Sequence, residues 1–408
     1  TTTEYQYNWQ NQPTKVIGYD GDNVANSVLY YYDSVGNLRA MFTGDVANAT
    51  AYASNDIVNA GDYAVTKYTY DSMNRCITQT DALGQTITNT YDINGNLIKT
   101  IDRNGNTLNY IYDGLNQLTQ KSSSKTGDDT YTYAYNKKGN RTSMSGGGVN
   151  TTYNYNNLGQ LAKETLTNGI VKEYTYDMNG NRKSFQLKRD NSIQYTLTYD
   201  YDKRNQLTKV YEDGTVKAEY TYNPDGTLKK SSYGSQTTEY TYNLANLLTE
   251  VNNSNGSTQI SKYSYTYYVD GNQKSKFESV AGIDKGTTTY TYDGLNRLVQ
   301  EQTPDNTYSY QYDIYGNRSR LTRSSGNSVE YTYDKNNRLI QQVDGDKTTK
   351  FWYDPNGNQI SSMTTHPSTK YVPEMKFELV GEDTSSYSEY DSWNQLTKTM
   401  QNGKTASY

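Results

Sequence analysis

At seventeen positions along the chain a tyrosine is followed four residues later by glycine or asparagine, and in fourteen cases another tyrosine lies two residues before it. We call these seventeen tyrosines the anchors; they are Tyr7, Tyr32, Tyr70, Tyr91, Tyr112, Tyr135, Tyr155, Tyr176, Tyr201, Tyr222, Tyr242, Tyr267, Tyr292, Tyr312, Tyr333, Tyr353 and Tyr390. Most neighbouring anchors are 20 to 25 residues apart, with two exceptional spacings of 38 and 37 residues. This period predicts a tandem array whose units cannot bury their apolar side chains alone.

Composition taken alone favours disorder, because only 33% of the residues are apolar and the mean hydropathy is −0.99. The regular spacing of the 46 tyrosines instead favours an ordered repeat protein. The 39 basic and 44 acidic residues are interspersed and form no basic stripe of the kind that a nucleic-acid backbone requires. We therefore expect no nucleic acid as a partner. We also expect no membrane insertion by this segment, since no apolar run approaches the ~20 residues that cross a bilayer.

The repeat consensus, Tyr-x-Tyr-Asp-x-x-Gly/Asn-x-Leu, predicts a β-hairpin. Segments such as Tyr174-Thr175-Tyr176 alternate aromatic and β-branched residues, which is typical of a strand with tyrosines on one face and threonines on the other. Asp or Asn follows sixteen of the seventeen anchors and can start a turn by accepting a hydrogen bond from a backbone N–H two residues on. The glycine or asparagine four residues after each anchor fits a site with positive φ. Leucine then occupies the sixth position after ten of the anchors, which predicts a returning strand.

Two strands per unit amount to about thirty strands, and a sheet of that size must curl because strands twist. We expect an all-β fold in which tandem β-hairpins form a curved spiral sheet, with a hollow barrel or cocoon wall held together by ladders of stacked tyrosines. The glycine and asparagine versions of the turn alternate along the array, with Gly159 as the one break in the order. This alternation indicates that the structural period is a pair of hairpins.

The organisation expected for residues 1–408 is one continuous array of about 17 hairpin units, cut from a longer array at both ends. Residues 40–61 are rich in alanine and contain no anchor, and residues 361–386 are also irregular. Each of these two stretches is expected to be an insertion or a degenerate repeat, and the sequence does not distinguish the two.

The repeat resembles the YD-repeat, or rearrangement-hotspot (RHS), family. The resemblance rests on Tyr-Asp-x-x-Gly-Asn-Arg at 176–182 and 312–318, alternating with Tyr-Asp-x-x-Asn-Arg-Leu at 292–298 and 333–339, and it extends over essentially the whole chain. It implies a hairpin ribbon that spirals into a large shell. In bacterial RHS proteins and toxin-complex C components such shells enclose a C-terminal toxin, and in teneurins a similar barrel serves adhesion. No separate self-cleavage block of the family is found, since the nearest match to its Asp-Pro-x-Gly pattern, Asp354-Pro355-Asn356-Gly357, lies in register as an ordinary repeat turn.

Side chains that carry chemistry are sparse, and no catalytic, cofactor-binding or metal site is expected. The single histidine, His366, and the single cysteine, Cys76, lack the partners that a catalytic triad or a zinc site needs. Cys76 occupies a leucine position and is interpreted as an apolar replacement, and His366 as part of a surface loop, with a plug or cargo contact as the alternative. The strings at Asp92, Asp102 and Asp177 resemble part of a calcium loop but are interpreted as turns. The chain is not expected to be an enzyme.

Three functions from different classes are compatible with these features. The first is a structural wall segment of a secreted or surface-exposed bacterial RHS protein, whose partners are a toxin or effector cargo and the remaining shell repeats. The second is a cell-surface carbohydrate-binding or adhesion module, although aromatic glycan-binding repeats usually rely on tryptophan and only Trp9, Trp352 and Trp393 occur here. The third is a self-assembling extracellular fibre, since polar repeats with open strand edges can stack.

Overall fold

A computed structural model describes residues 2–54, 56–365, 384–402 and 404–407. All of the regular secondary structure among these residues is β-strand, and almost all of the strands belong to one 35-stranded sheet. The all-β prediction is therefore confirmed. Within the same ranges, no helix long and apolar enough to span a bilayer is present. His366 and most of the irregular stretch expected at 361–386 lie outside the described residues.

The thirty-seven strands are numbered in chain order. The first nineteen are β1 Thr2–Tyr7, β2 Pro13–Asp20, β3 Asn23–Tyr32, β4 Leu38–Gly44, β5 Thr50–Ala53, β6 Asp56–Val58, β7 Tyr63–Tyr70, β8 Cys76–Thr80, β9 Thr86–Tyr91, β10 Leu97–Ile101, β11 Thr107–Tyr112, β12 Leu118–Ser123, β13 Tyr131–Tyr135, β14 Arg141–Gly146, β15 Val149–Tyr155, β16 Leu161–Leu166, β17 Ile170–Tyr176, β18 Arg182–Arg189 and β19 Ser192–Tyr201. The remainder are β20 Leu207–Glu212, β21 Thr215–Tyr222, β22 Leu228–Tyr233, β23 Gln236–Tyr242, β24 Leu248–Asn255, β25 Thr258–Tyr267, β26 Gln273–Val280, β27 Ile283–Tyr292, β28 Leu298–Gln302, β29 Thr307–Tyr312, β30 Arg318–Arg323, β31 Val329–Tyr333, β32 Leu339–Asp344, β33 Lys347–Tyr353, β34 Gln359–Thr365, β35 Thr384–Tyr390, β36 Leu396–Gln401 and β37 Lys404–Ser407.

The large sheet is a continuous antiparallel meander: apart from the first and last, each of its strands pairs with the strands before and after it in the sheet, and β4 is followed by β7. Each anchor tyrosine ends a strand, and its unit is completed by the strand that follows. We number the units 1–17 by their anchors. We call the Tyr-Asp-x-x-Gly/Asn connection the primary turn and the connection to the next unit the return turn. All primary turns lie along one edge of the ribbon and all return turns along the other.

The primary turn has the backbone geometry that the sequence predicts. In the turn after Tyr91, the N–H of Asp92 donates to the carbonyl of Asn96 at 2.9 Å and the N–H of Gly95 donates to the carbonyl of Asp92 at 3.2 Å. All seventeen predicted positions have positive φ, from 57° to 63° at asparagine and from 82° to 95° at glycine. The side chain after the anchor also acts as predicted, since Asp113 Oδ1 accepts hydrogen bonds from the N–H groups of Leu115 and Gln117, each at 2.9 Å.

Replacing Gly95 by valine tests the requirement for positive φ. A Cβ at Gly95 meets no atom within 4 Å, so the expected loss of about 1–3 kcal/mol in unfolding free energy comes from backbone strain alone. The measurement is chemical denaturation followed by circular dichroism. Gly95→Asn is the matched control and should cost well under half as much, because asparagine occupies the same site in the neighbouring unit at Asn116.

In both long anchor spacings the strands on either side pair directly. Strand β4 pairs directly with β7, and β34 pairs directly with β35. Ala40–Gly44 belongs to β4, so the first interruption is shorter than the expected 40–61 and contains the small β5–β6 hairpin. Similarly, residues 361–365 and 384–386 lie in β34 and β35, inside the stretch that was expected to be irregular.

The first interruption builds the main apolar cluster of the described chain. Phe42 and Val46 are fully buried, and Leu29, Ala40 and Ala49 pack with them. Leu29 alternates with Tyr30 along β3, so the cluster lies on the face of the sheet opposite to the paired tyrosines. Ser27 holds residues 44–46 against β3, because its Oγ donates to the carbonyl of Gly44 at 2.6 Å and accepts from the N–H of Val46 at 3.0 Å. These contacts fix the start of the ribbon.

Candidate functional site

The phenol hydroxyls of the anchors join each hairpin to the one before it. Fifteen of the seventeen anchors donate a hydrogen bond to the backbone carbonyl of the residue six positions after the preceding anchor, which we call the leucine slot. The oxygen–oxygen distances are 2.5–3.1 Å. The donors are Tyr32, Tyr70, Tyr91, Tyr112, Tyr135, Tyr155, Tyr176, Tyr201, Tyr222, Tyr267, Tyr292, Tyr312, Tyr333, Tyr353 and Tyr390. This bond satisfies a carbonyl at the primary-turn edge and explains why the position is tyrosine and not phenylalanine.

The expected ladder of stacked tyrosine rings is only partly present. The two stacked tyrosine pairs among the described residues, Tyr5–Tyr7 and Tyr30–Tyr32, both lie within one strand and do not cross between strands. Arginines instead cover many of the rings. Arg318 in a leucine slot lies 4.6 Å from the centre of the Tyr331 ring, a cation–π contact to the next unit. Hydroxyl bonds and cation–π contacts therefore carry much of the cohesion that was predicted for stacking.

Arginine in the asparagine-type turn makes three contacts at once. Arg338 Nε donates to Asp334 in its own turn at 2.7 Å, Nη1 donates to the carbonyl of Asp354 in the next turn at 3.2 Å, and the guanidinium lies 5.0 Å from the centre of the Tyr353 ring. Arg75 repeats this arrangement earlier in the array. A planar group with several donors suits this position because it can bridge two turns and cover a ring at once.

Side-chain bonds between neighbouring turns explain the alternation of the two turn types. In glycine-type units the asparagine after the glycine donates through Nδ2 to the positive-φ asparagine of the next unit. Six such pairs occur at 2.8–3.0 Å: Asn37–Asn74, Asn96–Asn116, Asn181–Asn205, Asn272–Asn296, Asn317–Asn337 and Asn358–Asn394. The donor and acceptor belong to different turn types, so these contacts repeat every second unit. The structural period along this part of the edge is thus a pair of hairpins.

Burial on the tyrosine face raises the pKa of many phenols. Burial raises the pKa of Tyr222, and burial together with a hydrogen bond to Glu301 raises the pKa of Tyr310 to about 12. A phenol whose folded pKa is raised contributes stability that is fully present below its unfolded pKa of about 10 and is lost as the pH rises through the folded value. The sheet should therefore lose stability as the pH rises from about 10 toward about 12. Phenolate absorbance and circular dichroism should change together in a pH titration, whereas phenolate formation without loss of structure would contradict this coupling.

Beyond the apolar cluster at the start of the ribbon, the face opposite to the tyrosines is polar and more exposed. Lys163 pairs with Glu173 at 3.2 Å, and Lys188 reaches the same carboxylate at 2.7 Å. Similar pairs follow across later strands, such as Lys209–Glu219 at 2.8 Å. Exposed pairs of this kind add little stability each, so this face supplies solubility more than cohesion.

The array closes on itself through a contact that we call the seam. Primary turns of units 13–17 rest on return turns of units 1–5, and each unit meets the unit twelve positions earlier. In all five cases an aspartate of the return turn accepts a hydrogen bond. The five bonds run from Gly294 N to Asp20 at 2.9 Å, from Tyr315 OH to Asp62 at 2.9 Å, from Asn336 Nδ2 to Asp81 at 2.9 Å, from Asn356 Nδ2 to Asp102 at 2.9 Å and from Ser392 N to Asp128 at 3.2 Å. Twelve hairpins therefore complete one turn of the coil.

Close packing accompanies these polar contacts. Trp393, at the tip of the last primary turn, lies edge-on to Tyr110 and Tyr131, with ring centres 6.4 and 6.3 Å away, and the Lys121 ammonium lies 4.0 Å from the centre of its ring. A Cβ on Gly294 would lie 2.7 Å from the carbonyl oxygen of Tyr19, so only glycine allows this approach. Lys335 adds an ion pair with Asp62, and hydrogen bonding from Lys335 lowers the pKa of Asp62.

The residues singled out in the sequence are distributed over these elements. Asp102 is buried in the seam, whereas Asp92 and Asp177 lie in primary turns, where a side-chain hydrogen bond from the following asparagine lowers the pKa of each. The described part of the chain contains no group of carboxylate, histidine and cysteine ligands placed to hold a metal. Cys76 is half-buried in its leucine slot, and burial raises the pKa of its thiol. The turn at Asp354 has ordinary primary-turn geometry, with Gly357 at a φ of 95°.

Comparison with known proteins agrees with this architecture. Residues 91–128 match the family described as RHS Repeat. In this stretch the chain is similar to the RHS-repeat, or YD-repeat, family. Two similar curated proteins are the tRNA3(Ser)-specific nuclease WapA of Bacillus spizizenii and the tRNA nuclease WapA of Bacillus subtilis. Each is 28% identical, over 43% and 39% of this chain respectively. The matched parts make up only 8% and 5% of those proteins.

Two solved Tc toxin structures share the fold. The Tc holotoxin pore of Photorhabdus luminescens matches over 100% of this chain with a TM-score of 0.61 at 13% identity, and 26% of that chain is covered. A TcdB2–TccC3 complex without its hypervariable C-terminal region matches over 96% of this chain with a TM-score of 0.52 at 12% identity, and 27% of that chain is covered. The chain therefore has a fold similar to that of the matched parts of these Tc toxin structures.

Proposed function

We propose that this chain is a wall segment of a secreted or surface-exposed bacterial shell that encloses a toxin or effector. The observation that carries the proposal is the seam, which brings the ribbon back onto itself after twelve hairpins. Twelve hairpins contribute 24 strands, and at ~4.8 Å per strand they give a coil about 115 Å around and roughly 37 Å across between backbones. Packed sheets lie only ~10 Å apart. Opposite walls of such a coil are too far apart to pack, which leaves space for a cargo.

The distribution of chemistry supports a structural role and not an enzymatic one. The tyrosine hydroxyls, turn aspartates and arginines are engaged in holding hairpins to one another. The similar WapA proteins are named as tRNA nucleases, but this chain matches less than a tenth of their length. We therefore assign the wall, and not a nuclease activity, to this segment. The natural partners are then the cargo and further repeats of the same shell.

Small-angle scattering of the purified chain tests the wall directly. A hollow coil should give a pair-distance distribution with a maximum displaced toward the coil diameter, whereas a solid protein of 46.3 kDa gives a narrower, symmetric curve. Incubation of the same preparation with tRNA should leave the RNA intact. A solid-globule profile would contradict the shell, and tRNA cleavage that copurifies with the chain would contradict the non-enzymatic assignment.

The carbohydrate-binding alternative is less well supported by the positions of the aromatic rings. Trp393 is packed in the seam, and Trp352 lies on the polar face of β33. Trp9 borders an open cleft of about 390 Å³ beside Tyr31 and Asp33, where its exposed ring is accessible to a sugar. A glycan array with the chain and its Trp9→Ala variant decides between the two functions, because only a glycan that loses binding in the variant would favour the second.

A further inference from the structure

The tips of the primary turns are apolar in units that have nothing docked on them. In nine of the first twelve units, a tip residue two or three positions after the anchor is apolar and at least 60% exposed. These residues are Trp9, Val35, Met73, Ile93, Leu115, Leu158, Met178, Leu244 and Val269. Together they form a row along one edge of the ribbon, which we call the tip row. Scattered exposed apolar residues need no explanation, but a row at equivalent positions of successive units does.

Apolar turn tips also occur in the seam, where they are packed against another part of the chain. In units 13, 14 and 17 the equivalent side chains, Leu295, Tyr315 and Trp393, are half-buried against the return turns of the preceding coil. Leu295 Cδ2 would lie 2.8 Å from a Cβ on Gly18, and Tyr315 Cε1 would lie 3.0 Å from a Cβ on Gly44. Trp393 inserts between Tyr110 and Tyr131 in the same way. Apolar tips are therefore the part of a primary turn that packs into a return-turn edge.

The opposite edge offers the matching surface. Among the described residues, no primary turn docks on the return turns from Gly146 onward. Several of these turns present exposed aspartates, namely Asp190, Asp213, Asp305 and Asp346. Aspartate is the acceptor in all five hydrogen-bonded contacts of the seam. The free primary-turn edge also carries exposed cations at Lys137, Lys138, Lys203 and Arg204. The two free edges thus match in both apolar and charged groups.

We propose that the tip row docks onto the free return-turn edge of a second copy of this chain, and so extends the seam from one molecule to the next. The contact is heterologous, with different edges on the two molecules, so copies associate head to tail and not through a two-fold axis. The argument rests on continuity with the seam inside one chain and does not depend on a cargo.

Sedimentation velocity over a range of protein concentrations tests the proposal. The parent chain should form dimers and larger species as the concentration rises. The variant Ile93→Lys/Met178→Lys/Val269→Lys should raise the dissociation constant at least about tenfold, because association would no longer bury these three apolar side chains. The matched control places three lysines on the exposed polar face, as Thr175→Lys/Thr221→Lys/Thr241→Lys, and should associate like the parent. A parent chain that stays monomeric, or a tip-row variant that associates normally, overturns the proposal.

A mixing experiment tests the polarity of the contact. A second variant, Ser235→Lys/Ser257→Lys/Asp346→Lys, blocks the return-turn edge and leaves the tip row free. Each variant alone should be monomeric, and an equimolar mixture should form dimers but no larger species, because each molecule retains one usable edge. Self-association by either variant alone would show that like edges pair and would contradict the head-to-tail arrangement. Circular dichroism of each variant confirms that the fold is retained.

Discussion

Replacement of Tyr222 by alanine is expected to lower the unfolding free energy by about 2–4 kcal/mol, the largest effect of any single substitution within a unit. The change removes a half-buried ring and the hydroxyl that donates to the carbonyl of Leu207 at 2.8 Å. Because units in a repeat array are stabilised by their neighbours, the loss also weakens units 9 and 11. Urea denaturation measures the total cost, and hydrogen exchange shows how far it spreads.

Two controls separate the ring from the hydroxyl and from the strand. Tyr222→Phe retains the ring and leaves the carbonyl of Leu207 without its donor, so it should cost about 1 kcal/mol. Thr221→Ala, on the exposed face of the same strand, should change the free energy by less than about 0.5 kcal/mol. Equal losses for the phenylalanine and alanine variants would show that the hydroxyl alone matters. Equal losses at positions 221 and 222 would contradict the conclusion that the tyrosine face holds neighbouring units together.

The second large effect is expected at the seam. Trp393→Ala should cost about 2–3 kcal/mol, because it removes the ring that packs against Tyr110, Tyr131 and the Lys121 ammonium. The loss should be local. Residues 384–402 should become sensitive to protease and to hydrogen exchange, whereas the middle of the array, near Tyr222, should remain protected.

The matched control for this prediction is Trp352→Ala, which removes the same side chain from the exposed face of unit 16. It should leave the protection of residues 384–402 unchanged. A Trp393 variant that unfolds the whole chain in one step would show that the seam is required for the ribbon itself, and not only for closing it.

The local structure of the ribbon could be predicted from sequence because it depends on residues close together in the chain. Tyr-x-Tyr alternation predicts the strands, and the positive-φ site after each anchor predicts the turn without any tertiary contact. The alternation of glycine-type and asparagine-type turns also predicted the paired period, which the Asn96–Asn116 contact now explains. The calcium-like string at Asp92 lies in a primary turn, where its carboxylate accepts hydrogen bonds from Asn96.

The seam could not be predicted in the same way, because it joins residues 250–274 positions apart. The number of hairpins in one turn depends on small twists added over many strands, and no single residue determines it. Asp102 and Trp393 therefore carried no visible signal of their role. The turn tips gave no signal either, because apolar tips occur both in free turns, such as Met178, and in docked turns, such as Leu295. The hydrogen bonds of the phenol hydroxyls were not predicted, because ring stacking alone accounts for tyrosine at alternate strand positions.

Cross-linking across the seam tests the twelve-hairpin coil most directly. In a Cys76→Ser background, Ala82→Cys is combined in turn with Tyr315→Cys, Asn336→Cys or Asn356→Cys, and each purified monomer is treated with a short bismaleimide. The structure places the N–H of Ala82 at 3.2 Å from Asn336 Oδ1, so the pair 82–336 should cross-link within one chain in the highest yield. Preferential cross-linking of 82 to 315 or 356 would mean eleven or thirteen hairpins per turn, and no cross-link from any pair would mean that the ribbon does not close.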